Sequence, residues 1–420
     1  MADAPTLQMR VYQGAMWALS PLAAPVLKRR LARGKEDPDR WPEKLGVASA
    51  SRPDGPLIWL HAVGVGEVLA LRGLIGALSG LRPDLSFLVT STARSSAQVF
   101  AANMPPRTIH QFLPLDTPGP RRAFLDHWHP DLSVWAEQDL WPGLIADTAA
   151  RCIPLALVNA RMDSRAFAAR KRFAGLFRPT LARFALVAAQ DQATADHLAA
   201  FGVRAQFSGS LKPAAPALAD LPHERARFAE LLKGRGVWLA APTHAEDEAV
   251  ALAAQTQIAK DRNLLLIVVP RDIDRGRTIA DNARAVGLQI GLRSSGDDPQ
   301  KATQVYVADT LGELGLWYRL ADTALIGGTF GPVQGHNPWE AAQLQTAILH
   351  GPQTANFAAD FFALDTHGGA KLVENAAGIV AALTGPDLSG LRKKAATIAA
   401  EGPKIAQGLA SQLIALLPDD

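Results

Sequence analysis

The chain has 420 residues, more than one hydrophobic core ordinarily supports, so two domains are expected. A formal charge of +3 is too small to indicate a nucleic-acid-binding protein, and 48% hydrophobic with 20% charged residues excludes a disordered chain. The single cysteine, Cys152, excludes an intramolecular disulfide framework and fits a reducing compartment.

The N-terminal segment is predicted to contact a membrane. Residues 11–27 (VYQGAMWALSPLAAPVL) carry no charge, and four basic residues follow between positions 28 and 33. A span needs about 20 apolar residues, so this stretch with two prolines is marginal for crossing a bilayer. A helix lying in or dipping into the membrane, with its basic end on the cytoplasmic side, fits the pattern. An ordinary helix packed on the protein body fits it too.

Short apolar runs separated by helical patterns make up the rest of the chain. Such runs are typical of parallel sheets covered by helices on both faces, and there are enough of them for two sheets. The proline- and alanine-rich stretch after Lys212 (PAAPALADLP) is predicted to be the linker. Ligands are then expected at the carboxyl ends of the strands, facing a cleft between two domains. The predicted strands are residues 57–60, 87–89, 132–134, 155–158, 186–188, 237–241, 264–269, 305–307, 324–326 and 347–349.

Glu67 falls where a helix is predicted to begin. In WLHAVGVGEVLALRGLI, residues 59–75, a strand-like run breaks at two glycines and helical spacing follows. Free backbone N–H groups and the helix dipole make such a position favourable for an anion. From these residues alone, Glu67 could simply satisfy the helix end.

Two turns in the second half of the chain have the T-x-x-E spacing of a capping box. Thr243 and Glu246 form the first, and Thr310 and Glu313 form the second. Capping alone would explain each, and a ligand site would explain each as well.

A third turn, GGTFGPVQGHNPWEAA, is richer in glycine. Asn337 is its predicted N-cap and Pro338 the first helical residue. The glycines would let the backbone approach a ligand closely, and His336 adds a polar group. Such a helix start suits a phosphate, and Glu340 is placed to bind ribose hydroxyls. The pattern therefore predicts a nucleotide-type ligand.

Eight runs together resemble one family, the 3-deoxy-D-manno-octulosonic acid (Kdo) transferases. The resemblance extends from about residue 11 to the C-terminus, and DTLGELG and GHNPWE are specific as a pair. It implies a GT-B glycosyltransferase with two Rossmann-like, doubly wound α/β domains, an interdomain cleft and an N-terminal membrane-associated helix. The expected segments are 1–40 (membrane-associated), 41–212 (acceptor-binding), 213–400 (donor-binding) and 401–420 (C-terminal helix). The runs are HAVGVGE, AEQDLWPGLI, NARMDSR, GSLKP, APTHAEDE, VVPRDIDR, DTLGELG and GGTFGPVQGHNPWEAA.

The resemblance also implies a reaction. Kdo would pass from CMP-Kdo to a lipid A precursor (lipid IVA) in lipopolysaccharide biosynthesis, with inversion at the anomeric carbon. Glu67 would be the general base that removes the proton from the attacking sugar hydroxyl. No metal or other cofactor is expected. CMP-Kdo, the lipid and the membrane surface are the expected partners, nucleic acid is not, and the expected location is the cytoplasmic face of the bacterial inner membrane.

Matches to the family motifs imply the remaining site residues. An arginine in such a motif could equally form a structural salt bridge, and a lone lysine or histidine could be a surface or core group. The expected acceptor-side or cleft residues are Gly66, Glu137, Asn159 and Arg161, and the expected donor-binding residues are Lys212, Thr243, His244, Arg271, Gly312, Glu313, Gly335, His336, Asn337 and Glu340.

The sequence departs from the family pattern at several positions. Gly64 stands where the family commonly has Ser, Ser210 where it has Asn and Asp272 where it has His, and the turn TSTARSSAQ lacks the usual glycine. Gly64 removes a hydroxyl that could contact the acceptor, and Asp272 replaces a possible cation beside an anionic donor. Two alternatives remain open: a UDP-sugar epimerase of the same two-domain fold, and a lipid-binding protein with a decayed site. Retention of Glu67, Lys212, Arg271 and Glu340 argues against the second.

Overall fold

In the computed structural model, which describes residues 5–260, 262–385 and 388–418, the chain forms two α/β units. The first unit comprises the described residues up to Ala215 and from Gly402 onward, and the second comprises Pro216–Glu401. The predicted pair of doubly wound α/β domains is confirmed.

The first unit is built on a parallel sheet. Its strands are β1 (Leu57–His61), β2 (Ser86–Ser91), β3 (Thr108–Phe112), β4 (Leu132–Ala136), β5 (Leu155–Ala160), β6 (Leu186–Ala189) and β7 (Gln206–Phe207). Within the described residues the strand order is β3-β2-β1-β4-β5-β6-β7, so the direction of winding reverses between β1 and β4. Its helices are α1 (Leu7–Leu19), α2 (Ala23–Ala32), α3 (Val65–Leu81), α4 (Arg94–Ala101), α5 (Pro118–Trp128), α6 (Pro142–Ala150), α7 (Ser164–Lys171), α8 (Ala174–Leu181) and α9 (Gln192–Ala199).

Strand β1 shows why the sheet is covered on both faces. All five of its residues are buried. Ile58 and Leu60 belong to one hydrophobic core and Leu57 and Trp59 to another, because successive side chains point to opposite faces of a strand. The continuous apolar run, rather than alternation, is what a parallel strand between two helical layers requires.

The second unit repeats this plan. Its strands are β8 (Gly236–Thr243), β9 (Leu264–Pro270), β10 (Ile290–Leu292), β11 (Val305–Val307), β12 (Thr323–Ile326), β13 (Ala347–His350) and β14 (Ala370–Leu372). They pair in parallel in the order β10-β11-β9-β8-β12-β13-β14, with the reversal between β8 and β12. Its helices are α10 (Pro222–Leu231), α11 (Ala245–Ile258), α12 (Gly276–Ala285), α13 (Leu314–Leu320), α14 (Trp339–Gln343), α15 (Ala358–Thr366), α16 (Ala376–Thr384) and α17 (Leu388–Ala399).

The last helix, α18 (Glu401–Ile414), returns to the first unit from Gly402 onward. Leu409 and Leu413 are fully or almost fully buried in the core that also contains Ile58 and Leu60. The C-terminal helix is therefore part of the first unit's hydrophobic core.

The N-terminal segment forms α1, a short 3-10 turn and α2. It is attached to the first unit by a hydrogen bond from the Tyr12 hydroxyl to Asp116 and by one from the Leu176 N–H to Gln8 (3.1 Å). None of the helices formed by the described residues combines the length and apolar character that crossing a membrane requires. Several large apolar side chains of this segment are nonetheless exposed: Leu7, Val11, Trp17, Leu19, Leu22 and Val26.

Every predicted strand is found within an observed strand, with bounds that differ by up to two residues. Four strands were not predicted: β3, β7, β10 and β14. They are the edge strands of the two sheets.

Candidate functional site

Glu67 lies in the first turn of α3, as the sequence predicted. Gly64 is the N-cap in an extended conformation, and Glu67 Oε2 accepts hydrogen bonds from the N–H groups of Gly64 (2.8 Å) and Val63 (3.2 Å). A Cβ on Gly64 would lie 3.2 Å from Glu67 Oε1, so the serine common in the family would touch this carboxylate. The loop after β1 thus fixes Glu67 at the point where the sheet reverses direction.

Glu137 follows β4 directly and faces Glu67 across the reversal point. It is 5% exposed and adopts φ 61°, a left-handed conformation that is uncommon for glutamate. Burial raises its pKa to about 8; the charge of Glu67 and a hydrogen bond with it act in the same direction, against the positive charges of Lys212 and Arg161. Glu137 is therefore largely protonated near neutral pH, and in that form its hydroxyl can donate to the neighbouring Glu67 carboxylate.

Asn159 supports Glu137 from the end of the next strand, β5. Its Nδ2 donates to Glu137 Oε1 (3.3 Å) and its Oδ1 accepts from the Leu211 N–H (3.0 Å). Asn159 is also left-handed, with φ 49°, where the pairing of β5 and β6 shifts register. Two non-glycine residues in this conformation at neighbouring strand ends are typical of a functional site, because such strain persists only when the surroundings impose it.

Lys212 was predicted to bind the donor, and the structure places it in the first unit, where its positive charge lowers the pKa of Glu137. The charge of Arg161 lowers the pKa of the same carboxyl group. Gly66 is exposed, and a Cβ there would meet no atom within 4 Å. The first unit therefore collects Glu67, Glu137, Asn159, Arg161 and Lys212 into one polar cluster.

In the second unit, His244 and His336 form a pair. Their Nε2 atoms are 2.9 Å apart and the rings are stacked with centroids 5.1 Å apart. Burial lowers the pKa of His336 to about 4, with the charges of His244 and Arg271 adding to the effect. His336 is therefore neutral at physiological pH.

Glu340 lies near Arg271, and the positive charge of Arg271 lowers the pKa of Glu340. Burial raises the pKa of Glu340 to about 7, although the Asn337 hydrogen bond (3.4 Å) and Arg271 lower it. Arg271 follows β9 and is exposed. A cation, two imidazoles and a carboxyl group that titrates near neutrality thus lie in the loops of one unit.

Neither T-x-x-E pattern forms a capping box. Helix α11 begins one residue later than expected, with His244 as N-cap, and the His244 N–H is bound by Asp247 (2.9 Å). Thr243 remains in β8, where its hydroxyl donates to Glu248 (3.3 Å). A threonine in the last residue of a buried strand points into the core, so it cannot cap the helix.

At the second turn, α13 starts only after Glu313, which is itself the N-cap. Its carboxylate is bound by Arg293 at 2.6 and 3.1 Å and by the Thr310 hydroxyl. In a capping box the Glu313 carboxylate would bind the backbone N–H of Thr310, whereas here it is held by Arg293. Gly312, with φ 84°, supplies the left-handed turn before it.

The glycine-rich turn also differs from its prediction. Pro338, not Asn337, is the N-cap of the five-residue helix α14, although Asn337 Oδ1 accepts from the Trp339 N–H (3.1 Å). A Cβ on Gly327 would lie 1.8 Å from the Pro242 carbonyl oxygen, so this glycine allows close packing of the backbone rather than approach of a ligand. Gly335 adopts φ 97° and supplies the turn before His336.

Asp247, which sequence reasoning missed, organises this turn. Its side chain is fully buried and accepts hydrogen bonds from the N–H groups of Gly328 (2.7 Å), Thr329 (3.2 Å) and Phe330 (3.1 Å) besides that of His244. The backbone of this glycine-rich turn was expected to approach a ligand closely, but the N–H groups of residues 328–330 bind Asp247. The sequence did contain a signal for this role. Asp247 lies three residues after His244, which is the capping-box spacing for a helix whose N-cap is His244 rather than Thr243.

Comparison with known proteins decides the family. The sequence model of the 3-Deoxy-D-manno-octulosonic-acid transferase (kdotransferase) family matches residues 39–215. The 3-deoxy-D-manno-octulosonic acid transferase of Rickettsia bellii is 34% identical over 346 residues, 82% of each chain. The chain belongs to the Kdo transferase family. The Haemophilus influenzae Kdo transferase is 32% identical over 317 residues, 74% of each chain. A probable mitochondrial Kdo transferase of Arabidopsis thaliana is 35% identical over 377 residues, 83% of this chain and 80% of its own.

Solved structures show the same fold in more distant proteins. A UDP-GlcNAc 2-epimerase from Neisseria meningitidis has a TM-score of 0.57 at 12% identity, covering 86% of this chain and 99% of its own. A glycosyltransferase from Rickettsia africae has a TM-score of 0.52 at 11% identity, covering 88% of this chain and 100% of its own. The predicted GT-B fold, the membership of the Kdo transferase family and the glycosyltransferase activity, which is the transfer of Kdo, are confirmed.

Proposed function

We propose that this Kdo transferase moves Kdo from CMP-Kdo to a lipid A precursor, with inversion at the anomeric carbon, and that Glu67 is the general base. The observation that carries the proposal is the pair of carboxyl groups at the reversal point of the first sheet. Ligands of doubly wound sheets bind at such points, and an inverting transfer requires one positioned base.

The proposed step is a single displacement. The acceptor hydroxyl oxygen bonds to the anomeric carbon of Kdo, the bond from that carbon to the CMP phosphate oxygen breaks, and the hydroxyl proton passes to Glu67. Two backbone N–H groups hold Glu67 Oε2 in place, and Glu137 lies beside the same carboxylate. Positioning of the attacking hydroxyl against this fixed base supplies much of the rate.

The second unit is the proposed donor site. CMP-Kdo carries a phosphate and a carboxylate, and the exposed cation Arg271 provides positive charge beside His336 and Glu340. Glu340 would accept hydrogen bonds from ribose hydroxyls. Stabilisation of the departing phosphate by Arg271 would need no metal ion.

Membrane association of α1 and α2 is part of the proposal. Trp17 is 73% exposed and Val11 63%, and the last turn of α2 carries Arg29 and Arg30. Exposed apolar side chains beside a basic helix end suit the interface of an anionic membrane. This arrangement would hold the enzyme at the cytoplasmic face of the inner membrane, where its lipid acceptor lies.

The test is a transfer assay in detergent, with CMP-Kdo generated in place, a tetraacylated lipid A precursor and mass spectrometry of the lipid. EDTA is added only after the donor has formed. We expect lipid heavier by one or more Kdo units, with or without EDTA. Unmodified lipid from folded protein that UDP, but not CMP, protects against thermal unfolding would refute the proposal and favour a UDP-sugar enzyme.

The affinity for CMP should depend on pH through Glu340. Ribose hydroxyls donate to the ionised carboxylate, so binding favours that form, and affinity is lost as the pH falls through about 7. We expect roughly tenfold weaker binding one pH unit below this pKa than well above it. The measurement is calorimetric titration of CMP between pH 6 and 8.

Glu340→Gln is the matched control, because the phosphate of CMP also titrates in this range. Its amide cannot ionise, so the difference between the two pH profiles isolates Glu340. Identical profiles for the wild type and the variant would remove Glu340 from the ribose site.

A further inference from the structure

A cleft of about 670 Å³ opens at the carboxyl end of the first sheet. The loops after β1, β2, β3 and β4 form its walls, and side chains of α2 line another side. Val63 lines the cleft, and the Val63 N–H binds Glu67. The cleft and the proposed base therefore share a wall.

Asp139 lines this cleft, and only one of its two carboxylate oxygens, Oδ2, accepts hydrogen bonds from the described residues. Its Oδ2 accepts hydrogen bonds from His61 Nε2 (3.2 Å) and Trp141 Nε1 (2.9 Å). His61 is fully buried, its Nδ1 contacts the Thr90 hydroxyl (3.0 Å), and its ring packs edge-on against Trp135. Two rings fixed by the core thus set the orientation of a carboxylate at the surface.

The second oxygen of Asp139 is open to the cleft. Within residues 5–260, 262–385 and 388–418, Oδ1 accepts no hydrogen bond, and the side chain is 38% exposed. Burial raises the pKa of Asp139, but the hydrogen bonds from His61 and Trp141 and the charges of His61 and Arg170 together outweigh it and keep the pKa below its usual range. An ionised carboxylate with one oxygen free accepts hydrogen bonds from hydroxyl or N–H groups of a ligand.

The remaining lining defines the chemistry of that ligand. Apolar side chains, including Leu27 and Leu113, give the cleft a hydrophobic side. Glu36 is neutralised by Lys44 (2.5 Å) and Arg30. Arg94 and Lys35 also line the cleft, and among the described residues neither forms an ion pair. A sugar with an anionic substituent and an apolar substituent matches this lining.

We infer that this cleft binds the accepting sugar and that Asp139 accepts a hydrogen bond from a hydroxyl or N–H group next to the hydroxyl that Glu67 deprotonates. His61 is the positioning residue that acts through Asp139, and Arg94 binds the anionic substituent. The inference rests on the proposed function and adds the residues that select the acceptor, which neither the motifs nor the family comparison assigned.

The test is calorimetric titration of the full-length protein with the deacylated lipid A backbone, a glucosamine disaccharide bisphosphate, and with the same disaccharide after phosphatase treatment. We expect Asp139→Asn to weaken binding of both probes tenfold or more. Arg94→Gln should weaken binding of the phosphorylated probe alone. Asp84→Asn, which removes an exposed carboxylate of the same unit outside the cleft, is the matched control.

His61 is tested by a double-mutant cycle. If it acts only by orienting Asp139, His61→Gln weakens probe binding in the wild-type background and has no further effect in Asp139→Asn. With the lipid acceptor, the KM of Asp139→Asn should rise while kcat changes little, and protection by CMP should persist.

The outcomes separate this inference from the proposed function. Wild-type probe affinity in both Asp139→Asn and Arg94→Gln overturns the inference even if Kdo transfer proceeds. Probe binding that depends on Asp139, in a protein that transfers no Kdo to lipid, supports the cleft and refutes the lipid acceptor. If Asp139→Asn fails to fold, the surface variant Arg94→Gln decides, because wild-type affinity of this variant for the phosphorylated probe would contradict an anion site at Arg94.

Discussion

Glu67→Gln is expected to lower the rate of Kdo transfer to lipid by about 10²–10⁴-fold, the usual contribution of a general base. Glutamine keeps the size of the side chain, and its oxygen can still accept from Gly64 and Val63, so the start of α3 should be preserved. The measurement is the single-turnover rate at saturating donor and acceptor. Protection by CMP should be unchanged, because the variant lies in the first unit.

Glu137→Gln tests which of the two carboxyl groups, Glu67 or Glu137, is the general base. Glu137 is protonated near neutral pH, and an amide N–H can replace its donation to Glu67. The loss of rate should therefore be smaller than in Glu67→Gln, and Glu230→Gln, an exposed helix position, should retain the wild-type rate. A larger loss in Glu137→Gln than in Glu67→Gln would reverse the assigned roles.

Asp247→Ala should destabilise the protein by about 3–5 kcal/mol, because it leaves buried backbone N–H groups without a hydrogen-bond partner. The carboxylate accepts from four backbone N–H groups, and an unsatisfied buried donor costs about 1–3 kcal/mol. Part of this cost is offset, because the substitution also removes the unfavourable burial of the carboxylate that raises the pKa of Asp247. The measurements are the free energy of unfolding in urea and thermal protection by CMP, and both should fall.

Asp247→Asn is the informative intermediate. Its amide has one oxygen acceptor, so only some of the four backbone N–H groups can be satisfied. The free energy of unfolding should therefore lie between those of the wild type and Asp247→Ala. Asp281→Asn, at an exposed ion pair, is the control. An unfolding free energy of Asp247→Ala within about 1 kcal/mol of the wild type would show that the turn holds its shape without this carboxylate.

The central strands could be predicted because their residues are apolar throughout. Strand β8 illustrates this: Val237 and Leu239 contact one core, and Trp238 and Ala240 the other. The edge strands could not be predicted by the same rule. Gln206 and Phe207 of β7 are both exposed, and Lys371 and Leu372 of β14 are exposed as well, so their sequences lack a continuous apolar run.

The candidate site was predicted in part. The position of Glu67 at a helix start follows from local sequence, because capping involves only neighbouring residues. Its pairing with Glu137 does not, since the two residues meet only because β4 is placed beside β1. The binding of Asp139 by His61 depends on the same neighbouring strands. Local patterns also misplaced the start of α11 by one residue, because both Thr243 and His244 precede acidic residues at suitable spacing.

The central claim, that the Glu67 carboxylate takes the proton from the acceptor, is tested most directly by chemical rescue. The rate of Kdo transfer to lipid is measured for Glu67→Ala with increasing sodium formate, and with sodium chloride at matched ionic strength. A small carboxylate that enters the space left by Glu67 should restore part of the lost rate, whereas chloride should not. Transfer by Glu67→Ala at the wild-type rate without formate would contradict the claim.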